Sequence, residues 1–201
     1  MDNINNIRKK SNSERQLFRT PDYATTPLLN YLPELTDGRA VIDPSAGDGR
    51  MIRQIVQRNS IAAHCLCDIE QSEAVLWSTD SSLSWLQHHI GSYLEFQPGR
   101  EFGAMLTNPP FTLAQEFVEH AKTHTVGPIC ILQSVAWIGT QKRSRWLSER
   151  SGLKMMLNLA RRPRWEFDDG KPGASNIWDF AWYIFERDYT GKPTIDWLFD
   201  A

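Results

Sequence analysis

The stretch Ala40-Val41-Ile42-Asp43-Pro44-Ser45-Ala46-Gly47-Asp48-Gly49 decides how the rest of the chain reads. A short apolar run, Ala40–Asp43, reads as a buried strand. It gives way to a turn with two glycines, and a helix is expected around Met51–Gln57. Strand, turn and helix in this order build open parallel sheets, whose ligands sit beyond the carboxyl ends of the strands. Glycine lets a backbone take positive φ and approach a ligand closely. A dinucleotide fingerprint would need a third glycine at position 52, where Ile52 stands, so the turn is a poor match to NAD binding. Asp43 is instead suited to accept a hydrogen bond from a ligand ammonium. Ser45 and the Gly47–Gly49 backbone would then pack against a carboxylate end.

Outward from this turn, apolar stretches alternate with helix-like segments. Ala62–Ile69 reads as a second strand, with helical segments expected at Glu73–Trp77 and Ser82–His88. Phe102–Thr107 is a third strand candidate, and Ala114–Lys122 a helix. Pro128–Gln133 is a strand candidate, and Arg145–Arg150 a short helix. The alternation implies a parallel sheet with helices on both faces. Lys154–Ala160 and Phe180–Glu186 lack a helical pattern between them and should pair antiparallel. The expected fold is therefore α/β, mostly parallel, with a C-terminal antiparallel hairpin. Residues 1–20 read as a polar, flexible arm and 21–201 as one domain, with little sequence left for a separate target-recognition domain.

The chain has 201 residues, 41% of them hydrophobic and 23% charged, as in soluble globular domains. It shows no apolar run long enough for a membrane span and no signal-peptide core, so action in a cytoplasm and no membrane partner are expected. Cys65, Cys67 and Cys130 form no C-x-x-C pair and read as buried small hydrophobes. The histidines, His88 and His89 included, show no metal-ligand spacing. The formal net charge is −2, yet Lys142, Arg143, Arg145, Arg150, Lys154, Arg161, Arg162 and Arg164 are opposed in their stretch only by Glu149. Such a local basic surface attracts phosphate even on a near-neutral protein.

After the second strand, Asp68 stands where a ribose hydroxyl pair would be held, with Glu70 as the alternative. Thr107-Asn108-Pro109-Pro110-Phe111 closes the third candidate strand. Consecutive prolines fix φ and remove backbone donors, leaving rigid carbonyl acceptors. The Asn108 side-chain oxygen and the Pro109 carbonyl could accept both hydrogens of one exocyclic amine. Such an amine is a poor nucleophile because its lone pair is delocalised into the ring, so two fixed acceptors would favour a localised lone pair. Phe111 offers a ring for a planar base.

DPSAGDG followed by TNPPF resembles the class I S-adenosylmethionine-dependent amino-methyltransferases, which methylate adenine N6 or cytosine N4 in DNA. Tyr23-Ala24-Thr25-Thr26-Pro27 resembles their Y-x-T-P element, which implies that Thr26 and Pro27 pack against the cofactor methionine. Arg162-Pro163-Arg164-Trp165, Trp178–Glu186 and Asp188-Tyr189-Thr190-Gly191 resemble the C-terminal part of compact phage and prophage adenine methyltransferases. The resemblance runs from about Thr20 to Trp197. It implies a Rossmann-like fold, S-adenosyl-L-methionine as cofactor, DNA as partner and adenine N6 as target. It also implies that Trp165, or alternatively Phe167, faces a flipped base, with Asn108, Pro109, Pro110 and Phe111 as the catalytic motif. In one departure, Ser92 stands where the family usually has an acid reading the cofactor's adenine.

A target amine cannot be reached inside a duplex, so the base must be flipped out or single-stranded. Lys142, Arg143, Arg145, Arg162 and Arg164 are the phosphate candidates. Trp146, Trp178 and Trp182 are expected in core or hairpin packing, and Asp168-Asp169-Gly170 in a turn. Two alternatives stay open: methylation of RNA or of a protein glutamine, since NPP motifs suit any planar amine or amide, and a non-catalytic binding protein on a cofactor fold. Oligomeric state and a partner that lends specificity are not legible.

Overall fold

The computed structural model describes residues 19–32, 35, 39–58, 64–68, 86–165 and 177–200, with the side chains of 58, 64–68 and 86 excepted. Glu70, Phe167, the 73–77 segment and the 168–170 turn lie outside these residues.

In chain order the elements are α1 (Asp22–Tyr31), β1 (Val41–Asp43), α2 (Arg50–Arg58), β2 (His64–Asp68), β3 (Leu86–Ile90), β4 (Ala104–Thr107), α3 (Ala114–Ala121), β5 (Ile129–Ser134), α4 (Gln141–Glu149), β6 (Leu153–Leu159), β7 (Phe180–Phe185) and β8 (Thr194–Leu198). Single 3-10 turns follow β3 at Tyr93–Glu95 and β5 at Val135–Ile138. Among the described residues the strands form one eight-stranded sheet in the order β3-β2-β1-β4-β5-β7-β6-β8. β1 to β5 run parallel, and β7 lies antiparallel between β5 and β6. The α/β architecture with an antiparallel C-terminal pair is the one the alternation implied.

β1, β4 and β5 are apolar up to the polar residues at their carboxyl ends, Asp43, Thr107, Gln133 and Ser134, because helices cover both sheet faces, as in buried parallel sheets. Every residue of β1, β4 and β7 is buried. One face packs Leu28, Ile52 and Ile55 of α1 and α2 against Val41, Leu106, Leu132 and Trp182. The other packs Phe117, Val118 and Trp146 of α3 and α4 against Ile42, Met105, Ile131 and Tyr183. Trp182 donates its indole N–H to the Ala24 carbonyl at 2.7 Å, which fastens α1 to the sheet. Cys130 is buried, and that burial pushes its thiol pKa up, so it behaves as a small hydrophobe.

Several elements differ from the expectation. Residues 86–88, read as the end of a helix, belong to β3, which pairs parallel with β2 from His64↔Leu86 to Asp68↔Ile90. Pairing with a neighbouring strand overrides the local pattern of Leu86-Gln87-His88-His89-Ile90, which has no clean alternation. The edge strand β8 extends the sheet parallel to β6. Its residues are exposed except Leu198, so the burial alternation that reveals strands is absent there. α4 starts earlier than expected, where the Thr140 side chain accepts a hydrogen bond from the Arg143 backbone N–H at 3.3 Å, an N-cap. Trp146 and Trp182 are core residues, but Trp178 is 41% exposed because it precedes β7 rather than lying in it. Among the described residues, no helix is long and apolar enough to cross a membrane.

Candidate active site

Strand order sets the site. From β1 the chain builds outward one way through β2 and β3, and from β4 the other way through β5. A crevice opens where those directions part, beyond the carboxyl ends of β1 and β4. The turn after β1 and the Asn108 motif after β4 are thus brought to one place by topology alone. A cavity of about 330 Å³ lies there, lined by Ser45–Asp48 from the first and Asn108–Phe111 from the second. Arg19, Thr20, Ser92 and Tyr93 also line it. Its volume is within the range of small-molecule sites.

In the first turn, Gly47 and Gly49 take φ of 53° and 72°. This left-handed backbone is open to glycine and strained for other residues. The Gly49 N–H donates to the Ala46 carbonyl at 2.7 Å, closing the turn just before α2. Asp43 is fully buried, and its Oδ1 accepts from the Ser45 N–H at 3.1 Å. Asp48 is paired with Arg50 at 2.9 Å and lies 3.7 Å from Arg19.

In the second motif, the Asn108 Nδ2 donates to the Thr20 hydroxyl at 3.2 Å. Asn108 Oδ1 is buried and has no hydrogen-bond partner among the described residues. The Pro109 carbonyl accepts from buried Gln133 Nε2 at 3.4 Å, and a carbonyl oxygen has two lone pairs, so one acceptor position remains. Phe111 is 49% exposed at the rim. Its ring lies 6.0 Å from Phe180, and Trp165 lies 5.1 Å from the same Phe180 ring. Phe180 therefore holds both proposed stacking rings in one neighbourhood. Tyr23 fixes the segment that carries Trp165: its hydroxyl accepts from the Arg164 N–H at 2.6 Å, and its ring lies under Arg161 at 3.8 Å.

Other sequence-predicted residues are placed differently. Thr26 and Pro27 lie on α1 away from the cavity wall. Thr26 donates to Gln54 Oε1 at 3.1 Å, and Pro27 is buried. Thr20, read as the end of a flexible arm, is 4% exposed and lines the cavity instead. The T-P dipeptide occurs twice, at Thr20-Pro21 and Thr26-Pro27. Only the first stands at a helix start, the signal that would have separated them. Asp68 closes β2 at the same carboxyl edge as the cavity, with its side chain outside the described set.

The basic stretch is not uniform. Arg143 donates to the Trp137 carbonyl at 2.7 Å and stacks on that indole at 4.9 Å, which ties α4 down. Arg162 is paired with Asp179, Arg161 with Asp200 and Lys154 with Glu186. Lys142, Arg145 and Arg164 are exposed. Among the described residues no cluster of His, Cys, Asp and Glu could hold a metal ion.

Behind the cavity, Tyr93 OH lies 2.9 Å from His124 Nε2. Thr123 Oγ1 donates to the His120 carbonyl at 2.7 Å and lies 3.0 Å from His124 Nδ1. With its proton so used, Thr123 accepts from Nδ1–H, and Nε2 accepts from Tyr93. Burial, with His120 and Arg187 nearby, lowers the His124 pKa to about 4. A neutral histidine in the fold and one near its ordinary value in the unfolded chain binds fewer protons folded. That stabilisation is complete above about pH 6.5 and is lost as pH falls toward 4. Denaturant midpoints should therefore drop across this window, and less steeply in His124→Gln.

Neither a protein-family model nor any curated protein matches the chain. Solved structures do. A candidate RNA methyltransferase from Pyrococcus horikoshii superposes with a TM-score of 0.65 at 16% identity, covering 84% of this chain and 85% of that one. A candidate class I S-adenosylmethionine-dependent methyltransferase from Listeria monocytogenes gives 0.63 at 14%, covering 89% of this chain and 65% of the other. A candidate methyltransferase, yhhF, from Escherichia coli gives 0.56 at 15%, with 84% and 88% covered. The chain has the Rossmann-like fold of class I methyltransferases, and its glycine turn and Asn108 motif share the cavity at that fold's switch point.

Proposed function

We propose that the protein transfers the methyl group of S-adenosyl-L-methionine to the exocyclic amine of a nucleic-acid base, with adenine N6 in DNA as the preferred target. The observation that carries this is the shared cavity. A glycine turn suited to an amino-acid ligand faces a rigid Asn-Pro-Pro-Phe motif whose Asn108 Oδ1 is a buried acceptor without a partner.

The residues present fit the cofactor. Positive-φ Gly47 and Gly49 let the backbone approach its methionine end, and Asp43 and Ser45 form the adjoining polar turn. Asp68 stands at the strand end suited to a ribose, and Ser92 on the wall nearby. When bound, the cofactor would supply an electrophilic methyl group: its sulfur–methyl bond breaks as the nitrogen–methyl bond forms, S-adenosyl-L-homocysteine leaves, and the methylated amine gives up one proton to solvent. The chain's own contribution is placement. Asn108 Oδ1 and the Pro109 carbonyl accept the two amine hydrogens and draw the nitrogen lone pair out of conjugation. Pro109 and Pro110 hold those acceptors still, so little reorganisation accompanies the reaction. Phe111 and Trp165 flank a base turned out of its stack, and Lys142, Arg145 and Arg164 face its phosphates.

The basic surface favours nucleic acid over a protein amide. The resemblance of the two motifs favours DNA, and the candidate RNA methyltransferase among the structural neighbours is the ground for RNA as the second reading. Labelled cofactor incubated with duplex DNA, single-stranded DNA, RNA and a protein extract tests this. Label on DNA is expected. Label on RNA alone would move the assignment to the second reading, and label on protein alone would overturn the nucleic-acid reading. Trp165→Ala should raise KM for DNA while leaving cofactor affinity in place, since loss of one stacking contact costs about 1–3 kcal/mol.

A further inference from the structure

We propose that Thr20 is a positioning residue for Asn108: by bonding one end of the amide, its hydroxyl holds the Asn108 side chain in place and leaves the other end, the amide oxygen, to meet the target amine. The inference rests on the reading of the site as one that acts on an amine.

An asparagine amide has two ends of nearly equal shape and opposite polarity, one accepting and one donating. Only the oxygen end serves an amine that arrives with its hydrogens forward. Reversed, the same side chain would present donors to donors. Thr20 Oγ1 takes the hydrogen bond of Asn108 Nδ2 at 3.2 Å, and the opposite end, Oδ1, is left buried without a partner. The two residues lie 88 positions apart, so the contact is made by the fold and not by local sequence.

Thr20 is itself held firmly. It is 4% exposed, and the next residue, Pro21, has φ of −66° and caps α1 by accepting from the Ala24 N–H at 2.9 Å. The preceding residue, Arg19, reaches Asp48 in the glycine turn at 3.7 Å. The Arg19-Thr20 segment thus touches both motifs at once, and a shift of the glycine turn would be felt at Asn108.

Thr20→Val removes the hydroxyl at nearly constant shape, and Thr20→Ser keeps it. Three quantities should be read for each: kcat on the unmethylated nucleic-acid substrate, cofactor Kd by calorimetry, and the Asn108 side-chain amide resonances of the ligand-free protein. Those resonances are identified by their disappearance in Asn108→Ala. Thr20→Val should lower kcat roughly 10- to 100-fold, as expected when a reacting group loses its alignment. Cofactor Kd should stay within about threefold of wild type, well short of the roughly 1.4 kcal/mol that a tenfold change represents. The Asn108 amide resonances should move in Thr20→Val. Thr20→Ser should recover most of kcat and the wild-type resonance positions. An unaffected kcat, unmoved resonances, a loss confined to cofactor affinity, or a serine variant as impaired as the valine one would each overturn the inference. A wild type that transfers no methyl to any substrate would instead defeat the methyltransferase reading beneath it.

Discussion

Asn108→Ala should abolish most methyl transfer, lowering kcat by about 10²–10³-fold, as loss of one preorganised polar partner in a water-poor site does elsewhere. Cofactor binding should change by no more than several-fold, because the glycine turn, Asp43 and Ser92 are untouched. The variant should also fold well. Asn108 Oδ1 is buried without a partner, so truncation removes an unsatisfied acceptor and offsets part of the lost packing. Its partner Thr20 is left with a hydroxyl that has lost a donor. Denaturation and single-turnover kinetics on the same preparation separate these effects. A variant with wild-type kcat and intact stability would remove Asn108 from the reaction.

Gly49→Val should cripple cofactor binding while sparing the fold. Gly49 sits at φ 72°, and a β-branched side chain there is strained by about 1–3 kcal/mol. The turn can relieve that strain by relaxing toward negative φ, which moves the backbone and the start of α2 away from the cavity. Restoring the binding conformation then requires the same energy, so affinity should fall roughly 5- to 150-fold by calorimetry. Circular dichroism should keep its wild-type form, since the sheet is untouched, while denaturant stability should fall modestly because Ala46 and Met51 beside the strained glycine belong to one apolar core. Undiminished affinity would show that the positive-φ turn does not approach the ligand.

How much of this was legible in the chain depends on which force shaped each part. β1, β4, β5 and β7 declare themselves because they are buried on both faces and so are almost wholly apolar. The turn and the Asn108 motif are legible for a different reason: glycine and proline constrain the backbone locally, whatever surrounds them. Their convergence at one sheet edge follows from the strand order, in which β1 and β4 are neighbours.

What stayed hidden depends on partners distant in sequence. β3 is a strand because β2 lies beside it, and nothing in Leu86–Ile90 alone says so. β8 is an edge strand, with Ile195 and Trp197 59% and 55% exposed, so no burial pattern marks it. Thr20 and Gln133 support the two acceptors of the motif across 88 and 24 positions, contacts that only the folded chain creates. The same holds for charge. Arg143, Arg161 and Arg162 read as part of one basic surface, yet each is engaged by an indole, a carbonyl or a carboxylate that folding brings to it.

The most direct test of the account is the position of the transferred methyl. Nucleic acid treated with the protein and S-adenosyl-L-methionine carrying a deuterated methyl should be digested to nucleosides and read by mass spectrometry against standards. Deuterated methyl on an exocyclic amine, N6-methyladenine foremost, is the predicted result. A methyl group found only on a ring carbon, a ring nitrogen or a ribose hydroxyl would contradict the role assigned to Asn108 and Pro109.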